Sequence, residues 1–219
     1  MFLIMASKKQ PESAPGGRQA AYVARNRAAL IKSAQEILAE SGPHVTIEEI
    51  ATYAQVSPTT LYKYFPSKDV LFKEALEQIW RDWVVWAYNG VPEGESLEAV
   101  ISTARKLFWI KRTHPFFAKI LHNTLENPAF VIEAVKADGL KVFKNLAKRG
   151  ELVESDFDKR ATLMAYSLAG LMTCVFVTGE LSPAQAEVAL GIALSLWGLS
   201  DAKAKKFMAK PLVFAPVTD

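Results

Sequence analysis

The segment Thr46 to Lys68, TIEEIATYAQVSPTTLYKYFPSK, constrains this chain more than any other stretch of it. Thr46 followed three residues later by Glu49 reads as a capping box. It opens a short helix whose inward face is Ile47, Ile50, Ala51 and Ala54. A tight turn, Gln55-Val56-Ser57, follows. Ser57 caps a second short helix with Pro58 at its first position, and Leu61 and Phe65 point back to the core. Pro66 ends that helix and Ser67 caps the next. Two short helices joined by such a turn form a helix-turn-helix. In that plan the second helix lies in a DNA major groove and the first braces it across the backbone.

The outward residues of the second helix suit this use. Thr59, Thr60 and Lys63 offer hydroxyls, a methyl and an ammonium to base edges, with Pro58 at the leading end of the same surface. Tyr62, Tyr64 and Lys68, with Thr46 at the start of the bracing helix, sit where a groove-bound helix meets phosphates. The segment resembles the tetracycline-repressor (TetR) family, on Thr46, Ile50, Ala51, Ala54, Val56, Ser57, Thr60, Leu61, Tyr62, Tyr64, Phe65, Ser67, Lys68 and Leu71. The resemblance covers roughly Ala28 to Leu76. It implies a ligand-responsive transcriptional regulator, usually a repressor that a small effector releases from a palindromic operator; activators are the alternative within the family. One departure stands out. The family usually has glycine in the turn, where this chain has Gln55. If that position needs positive φ, glutamine costs about 1 kcal/mol more than glycine.

The rest of the chain reads as helices separated by breakers: Gly42-Pro43, Gly90 to Gly94, His114-Pro115, Asn127-Pro128, Gly150, and Gly179 to Pro183. Asn127 and Ser182 each precede a proline as expected N-caps, and Ser182 with Gln185 repeats the capping-box pattern. No alternating run proposes a sheet. The expected fold is all-α, with about nine helices. An N-terminal three-helix DNA-binding domain containing the helix-turn-helix precedes a larger helical ligand-binding and dimerisation domain. The expected boundaries are a flexible arm at 1–21, the DNA-binding domain at 22–68, the sensor domain at 69–200 and a C-terminal tail at 201–219. The arm carries Lys8, Lys9, Arg18, Arg25 and Arg27 with Glu12 as its only acid between Lys8 and Arg27. Basic arms reach into minor grooves or along phosphates, and a solvated tail fits the same composition.

Of the 219 residues, 50% are apolar and 22% charged, which is enough to build a large core. The formal net charge of +3 leans toward anionic partners without naming one. Cys174 is the single cysteine, so no intramolecular disulfide framework exists and a reducing cytoplasm suits the chain. The apolar opening, Met1 to Met5, is too short for a signal-peptide core. The longest apolar stretch, Leu163 to Thr178, falls short of the ~20 residues of a membrane span. The expectation is a cytoplasmic protein with no membrane partner.

Behind the helix-turn-helix runs a long helix with Leu71, Leu76, Ile79, Trp80, Trp83 and Trp86, by resemblance the link between the two domains. Further aromatics follow, most of them core residues, yet a bundle of such bulky groups can leave an apolar cavity between its helices. The expected ligand contacts are Trp83, Trp86, Arg105, Phe108, Phe117, Leu121, Asn123, Phe143, Thr173 and Phe176, with His122 and Thr124 also weighed, for a small apolar effector. The helices over about 156–177 and 183–199 are water-shy, with small residues such as Ala165 and Ala169 that permit close approach. The resemblance to the TetR family implies that they pair with their mates from a second chain as a four-helix bundle, giving a homodimer, and so much apolar surface agrees with that. No GxSxG, phosphate loop, CxxC or HExxH occurs, and the three histidines, His44, His114 and His122, are joined by no carboxylate pair or cysteine. No catalytic site, metal or cofactor is expected.

Overall fold

Three hydroxyl side chains set the frame of the head. In the computed structural model, which describes residues 15–89 and 96–217, Thr46, Ser57 and Ser67 each accept a backbone N–H three residues on, from Glu49, Thr60 and Val70. They open helices α2 (Ile47–Tyr53), α3 (Pro58–Tyr64) and α4 (Lys68–Tyr88). Capping of this kind is worth about 1 kcal/mol per helix and places each start to within a residue. A preceding helix, α1 (Pro15–Glu40), lays Leu30, Ala34, Ile37 and Leu38 against Ile50, Ala51, Leu61, Phe65, Leu71 and Phe72, all of them buried.

The body contains α5 (Leu97–Leu107), α6 (Ile110–Thr113), α7 (Pro115–Thr124), α8 (Pro128–Lys148), α9 (Phe157–Phe176), α10 (Pro183–Ala193) and α11 (Asp201–Met208), with a 3₁₀ turn at Leu194–Trp197. The described residues thus hold eleven α-helices, more than the nine expected. His114-Pro115 splits α6 from α7, and Ser200 caps α11 inside the stretch expected to be tail, accepting the Lys203 N–H at 3.3 Å. The arm is also shorter than expected: α1 begins at Pro15, so residues 15–21 are helical. Gln19, Ala20 and Ala21 favour helix over the reading that Gly16-Gly17 invited. The rest of the expected arm and the Gly90 to Gly94 break lie outside the described residues. Asn127 makes no side-chain cap, whereas Ser182 and Gln185 form both halves of their capping box.

Two apolar clusters organise the whole. One runs from the head along α4 into α7, and the other surrounds Trp197 with Leu97, Ile101, Leu146, Met164 and Leu194. Head and body are also joined by Asn123, whose Nδ2 donates to Leu38 O at 3.0 Å and Ala39 O at 2.9 Å, tying the end of α1 to α7. None of the described helices is long and apolar enough to cross a membrane. No group of three metal-ligating side chains occurs among the described residues.

Candidate nucleic-acid interface and ligand cavity

The turn between α2 and α3 is a Schellman motif made without glycine. Val56 N–H bonds to Ala51 O at 2.9 Å and Gln55 N–H to Thr52 O at 3.1 Å, with Gln55 at φ +55°. The left-handed conformation is therefore real, and its cost falls on Gln55. Gln55→Gly is expected to raise stability by about 1 kcal/mol, read as a higher urea midpoint at unchanged m-value. A midpoint at or below that of the parent would show that the turn carries no strain.

On α3, Pro58, Thr59, Tyr62 and Lys63 are exposed, whereas Thr60 is half-buried with its hydroxyl 2.9 Å from Ser57 Oγ. Thr46 is exposed, and its backbone N–H and hydroxyl both donate to Glu49 Oε2, at 2.6 and 2.9 Å. Those bonds, the backbone one first, hold the Glu49 carboxyl below its ordinary pKa, so it stays ionised as the cap partner. Two residues expected at phosphates have partners within the chain. The Tyr64 hydroxyl accepts from Asn26 Nδ2 at 3.1 Å, and Lys68 Nζ donates to Pro43 O at 3.1 Å and Val45 O at 2.9 Å. Lys68 ties the loop before α2 to the start of α4. Sequence spacing placed the ammonium near the DNA face, but not the two carbonyls that the Gly42-Pro43 loop brings to it.

In the body a cavity of about 870 Å³ lies among α4, α5, α8 and α9. Trp80, Trp83, Val84 and Tyr88 of α4 form one wall, and Met164, Leu168, Ala169 and Met172 of α9 another. Thr103 and Trp197 lie deeper, and the exposed Arg81 and Glu133 stand at the mouth. Trp83 Nε1, Thr103 Oγ1 and Trp197 Nε1 are buried without a hydrogen-bond partner, and all three residues belong to these walls. An unpaired buried donor costs roughly 1–3 kcal/mol.

Of the expected ligand contacts, Trp83 and Phe143 line this cavity and the others do not. Trp86 donates from Nε1 to Pro216 O at 3.1 Å and stacks on Phe214, held by the C-terminal segment instead. Arg105 is bonded to Glu187, and Asn123 to the end of α1. Phe117 packs edge-on to Trp80 and tilted against Trp83, while Phe108 and Leu121 fill the solid part of the core. Thr173 Oγ1 donates to Ala169 O of its own helix at 3.0 Å, and the carbonyl of Phe176 bonds with His122 Nδ1 at 2.8 Å. Thr124 likewise donates back to Ile120 O at 2.7 Å. Thr103, Met172 and Trp197 are walls that the sequence pattern does not single out. The i, i+4 repeat Trp80, Val84, Tyr88 is the sequence signal that marks the α4 wall.

Small residues on α9 serve the cavity as well. Ala165 and Ala169 are among its walls, Ala169 being 4% exposed. The outward stripe is Leu163, Tyr166 and Gly170, joined by Val188 and Ile192 of α10. At the far end of α4, the Lys106 ammonium is buried and donates to Ala87 O at 2.6 Å; burial lowers its pKa and also that of His114, which packs edge-on to Trp86.

Residues 30–75 match the family model described as bacterial regulatory proteins, tetR family. Over 69 residues the chain is 36% identical to the HTH-type transcriptional regulator RutR of Escherichia coli strain K12, a match covering 31% of this chain and 32% of that protein. The match thus spans about a third of the length of the curated relatives. Among solved structures the chain is similar to RolR in complex with resorcinol, at TM-score 0.65 and 20% identity, covering 89% of this chain and 98% of that one. A TetR-family transcriptional regulator from Rhodococcus sp. gives TM-score 0.58 at 21% identity, covering 80% of this chain and 99% of that one. At such identities the likeness of structure establishes the fold, and the head supplies the sequence match. Residues 30–75 thus carry a helix-turn-helix head that matches the tetR family of bacterial regulatory proteins, and the helical frame behind it has the fold of those solved structures.

Proposed function

We propose that this chain is a DNA-binding transcriptional repressor that acts as a two-fold dimer and leaves its operator when a small, largely apolar effector fills the body cavity. The observation that carries the reading is the position of α4. The helix begins at Lys68, capped by Ser67 a few residues after the recognition helix, and its Trp80, Trp83 and Val84 form a wall of the cavity. An occupant that favours one placement of α4 acts on the head through a single rigid element. It can shift the equilibrium only by its differential affinity for the two placements, typically 1–3 kcal/mol.

Thr59, Thr60 and Lys63 are the base readers in this reading, and Thr46, Pro58, Tyr62, Tyr64 and Lys68 position the head against the backbone. The lone donors of Trp83 and Trp197 favour an effector with acceptor oxygens, since an indole N–H can only donate. A modest shift of the wall brings such an oxygen within reach. Among the described residues the deep walls carry no charged side chain, which favours an uncharged body over an anion. Resorcinol, the molecule bound to RolR, has the size and the oxygens of such a ligand and serves as a first probe.

The test is fluorescence anisotropy on labelled duplexes from the DNA upstream of the chain's own gene, with and without a panel of uncharged aromatic and acyl compounds. Specific binding reversed by one of them, with altered tryptophan emission, is the expected result. Failure to bind any of these duplexes, or binding that no compound reverses, would count against the repressor reading. Within it, Lys63→Ala is expected to relax sequence preference and cost about 1–3 kcal/mol at the preferred operator. An unchanged preference would remove Lys63 from the base readers.

A further inference from the structure

The first turns of α1 extend beyond the head. From Arg18 to Arg25 every residue is exposed, and the first buried side chain is Leu30. Residues 15–35 contain Arg18, Arg25, Arg27 and Lys32 and no Asp or Glu. Arg27 is committed within the chain, paired with Glu74 and lying over the Phe65 ring. Arg18 and Arg25 are not held by any carboxylate among the described residues. At 100° per residue, positions 18, 22 and 25 fall on one side of the helix. The Arg25 guanidinium indeed lies over the Tyr22 ring, 5.9 Å from its centre.

That side has a definite orientation. Asn26, one turn after Tyr22, donates to the hydroxyl of Tyr64 at the end of the recognition helix. The stripe therefore leaves the head beside α3 and continues for about 12 Å toward Arg18, at 1.5 Å per residue. Tyr22 is 53% exposed and Val23 41%, so nothing in the described chain covers them. Two free guanidinium groups on a rigid, acid-free extension suit a row of phosphates, which Arg can grip in bidentate fashion. An aromatic ring between them suits the apolar face of the sugars. We propose that the helical extension Arg18 to Arg25 is a second DNA contact, lying along the backbone that flanks the base pairs read by α3. The proposal rests on the DNA-binding reading above.

The experiment measures salt-dependent binding of the full chain to a labelled mixed-sequence 40-base-pair duplex and to the same DNA trimmed to the segment that α3 covers. Each phosphate neutralised adds about 0.9 to the slope of log K against log salt. The double variant R18A/R25A is expected to reduce that slope by about two units per protomer on the long duplex. It should leave the slope on the trimmed duplex nearly unchanged, and R18K/R25K should restore most of it. Both side chains are exposed, and an unchanged circular dichroism melt checks that the head is intact. Equal slopes for parent and R18A/R25A on the long duplex would overturn the proposal while leaving recognition by α3 standing. A parent protein that binds neither duplex at low salt would instead overturn the reading beneath it.

Discussion

Arg105→Ala is expected to lower stability by about 3–5 kcal/mol, a larger effect than any surface change in this chain, because it breaks a buried ion pair from one side. Arg105 on α5 donates from Nε to Glu187 Oε2 at 2.5 Å and from Nη1 to Phe207 O at 3.0 Å and Lys210 O at 2.8 Å. The other oxygen of Glu187 accepts from Trp109 Nε1 at 2.6 Å. The two side chains are only 8% and 12% exposed. Removing the guanidinium leaves a buried carboxylate with one donor and strands two carbonyls, and neither loss is made up by water. For a chain of this size, each kcal/mol moves the melting temperature by about 2–4 °C, so a fall of roughly 10 °C is expected. Arg105→Lys should recover part of the loss, since an ammonium keeps the charge but not the planar fork. The double change Arg105→Met with Glu187→Leu should recover most of it, because two apolar groups of similar volume need no partner. A single Arg105→Ala variant melting within 2 °C of the parent would show the pair to be dispensable. The same network holds the chain after α11 against α5 and α10, and Phe214 and Pro216 reach Trp86 on α4.

Ile192→Asp is expected to abolish dimerisation while leaving the folded protomer intact. Ile192 is 70% exposed and Val188 66%, and both lie on α10 beside the exposed Leu163 and Tyr166 of α9. In an isolated protomer the new carboxylate meets water, and changes at such exposed positions usually stay within ±0.5 kcal/mol. In a two-fold pair the substitution enters the seam twice, and each unpaired buried charge costs several kcal/mol. Sedimentation should find monomers. Operator affinity should fall by two or more orders of magnitude, because the second head no longer binds at the high effective concentration the first provides. Phe116→Asp on α7, a position 43% exposed and off this stripe, is the control and should change neither measurement. A stable Ile192→Asp dimer with parental sedimentation would place the seam elsewhere.

The sequence by itself determined whatever depends on neighbours a few residues apart. Thr46, Glu49, Ser57, Pro58 and Ser67 specify three helix starts through hydrogen bonds spanning three residues, and each formed as the spacing requires. Whether the turn holds Gln55 at positive φ stayed conditional in the sequence, and the structure places it at φ +55°. Leu61, Phe65 and Leu71 announced the buried face of the head through helical periodicity. Local patterns stopped being informative where a partner comes from far along the chain. Lys68 reaches carbonyls 23 and 25 residues away, Arg105 a carboxylate 82 away, and Trp86 a carbonyl 130 away. Trp83, Trp86, Phe117 and Phe143 look alike in sequence, as large rings on helices. Which of them borders empty space depends on how α4, α5, α8 and α9 fail to close against one another. That is set by the summed shapes of many side chains in contact. Ala169 makes the same point: its small side chain signalled close approach, and only the packing of α9 decided that it faces the cavity while Leu163 faces outward.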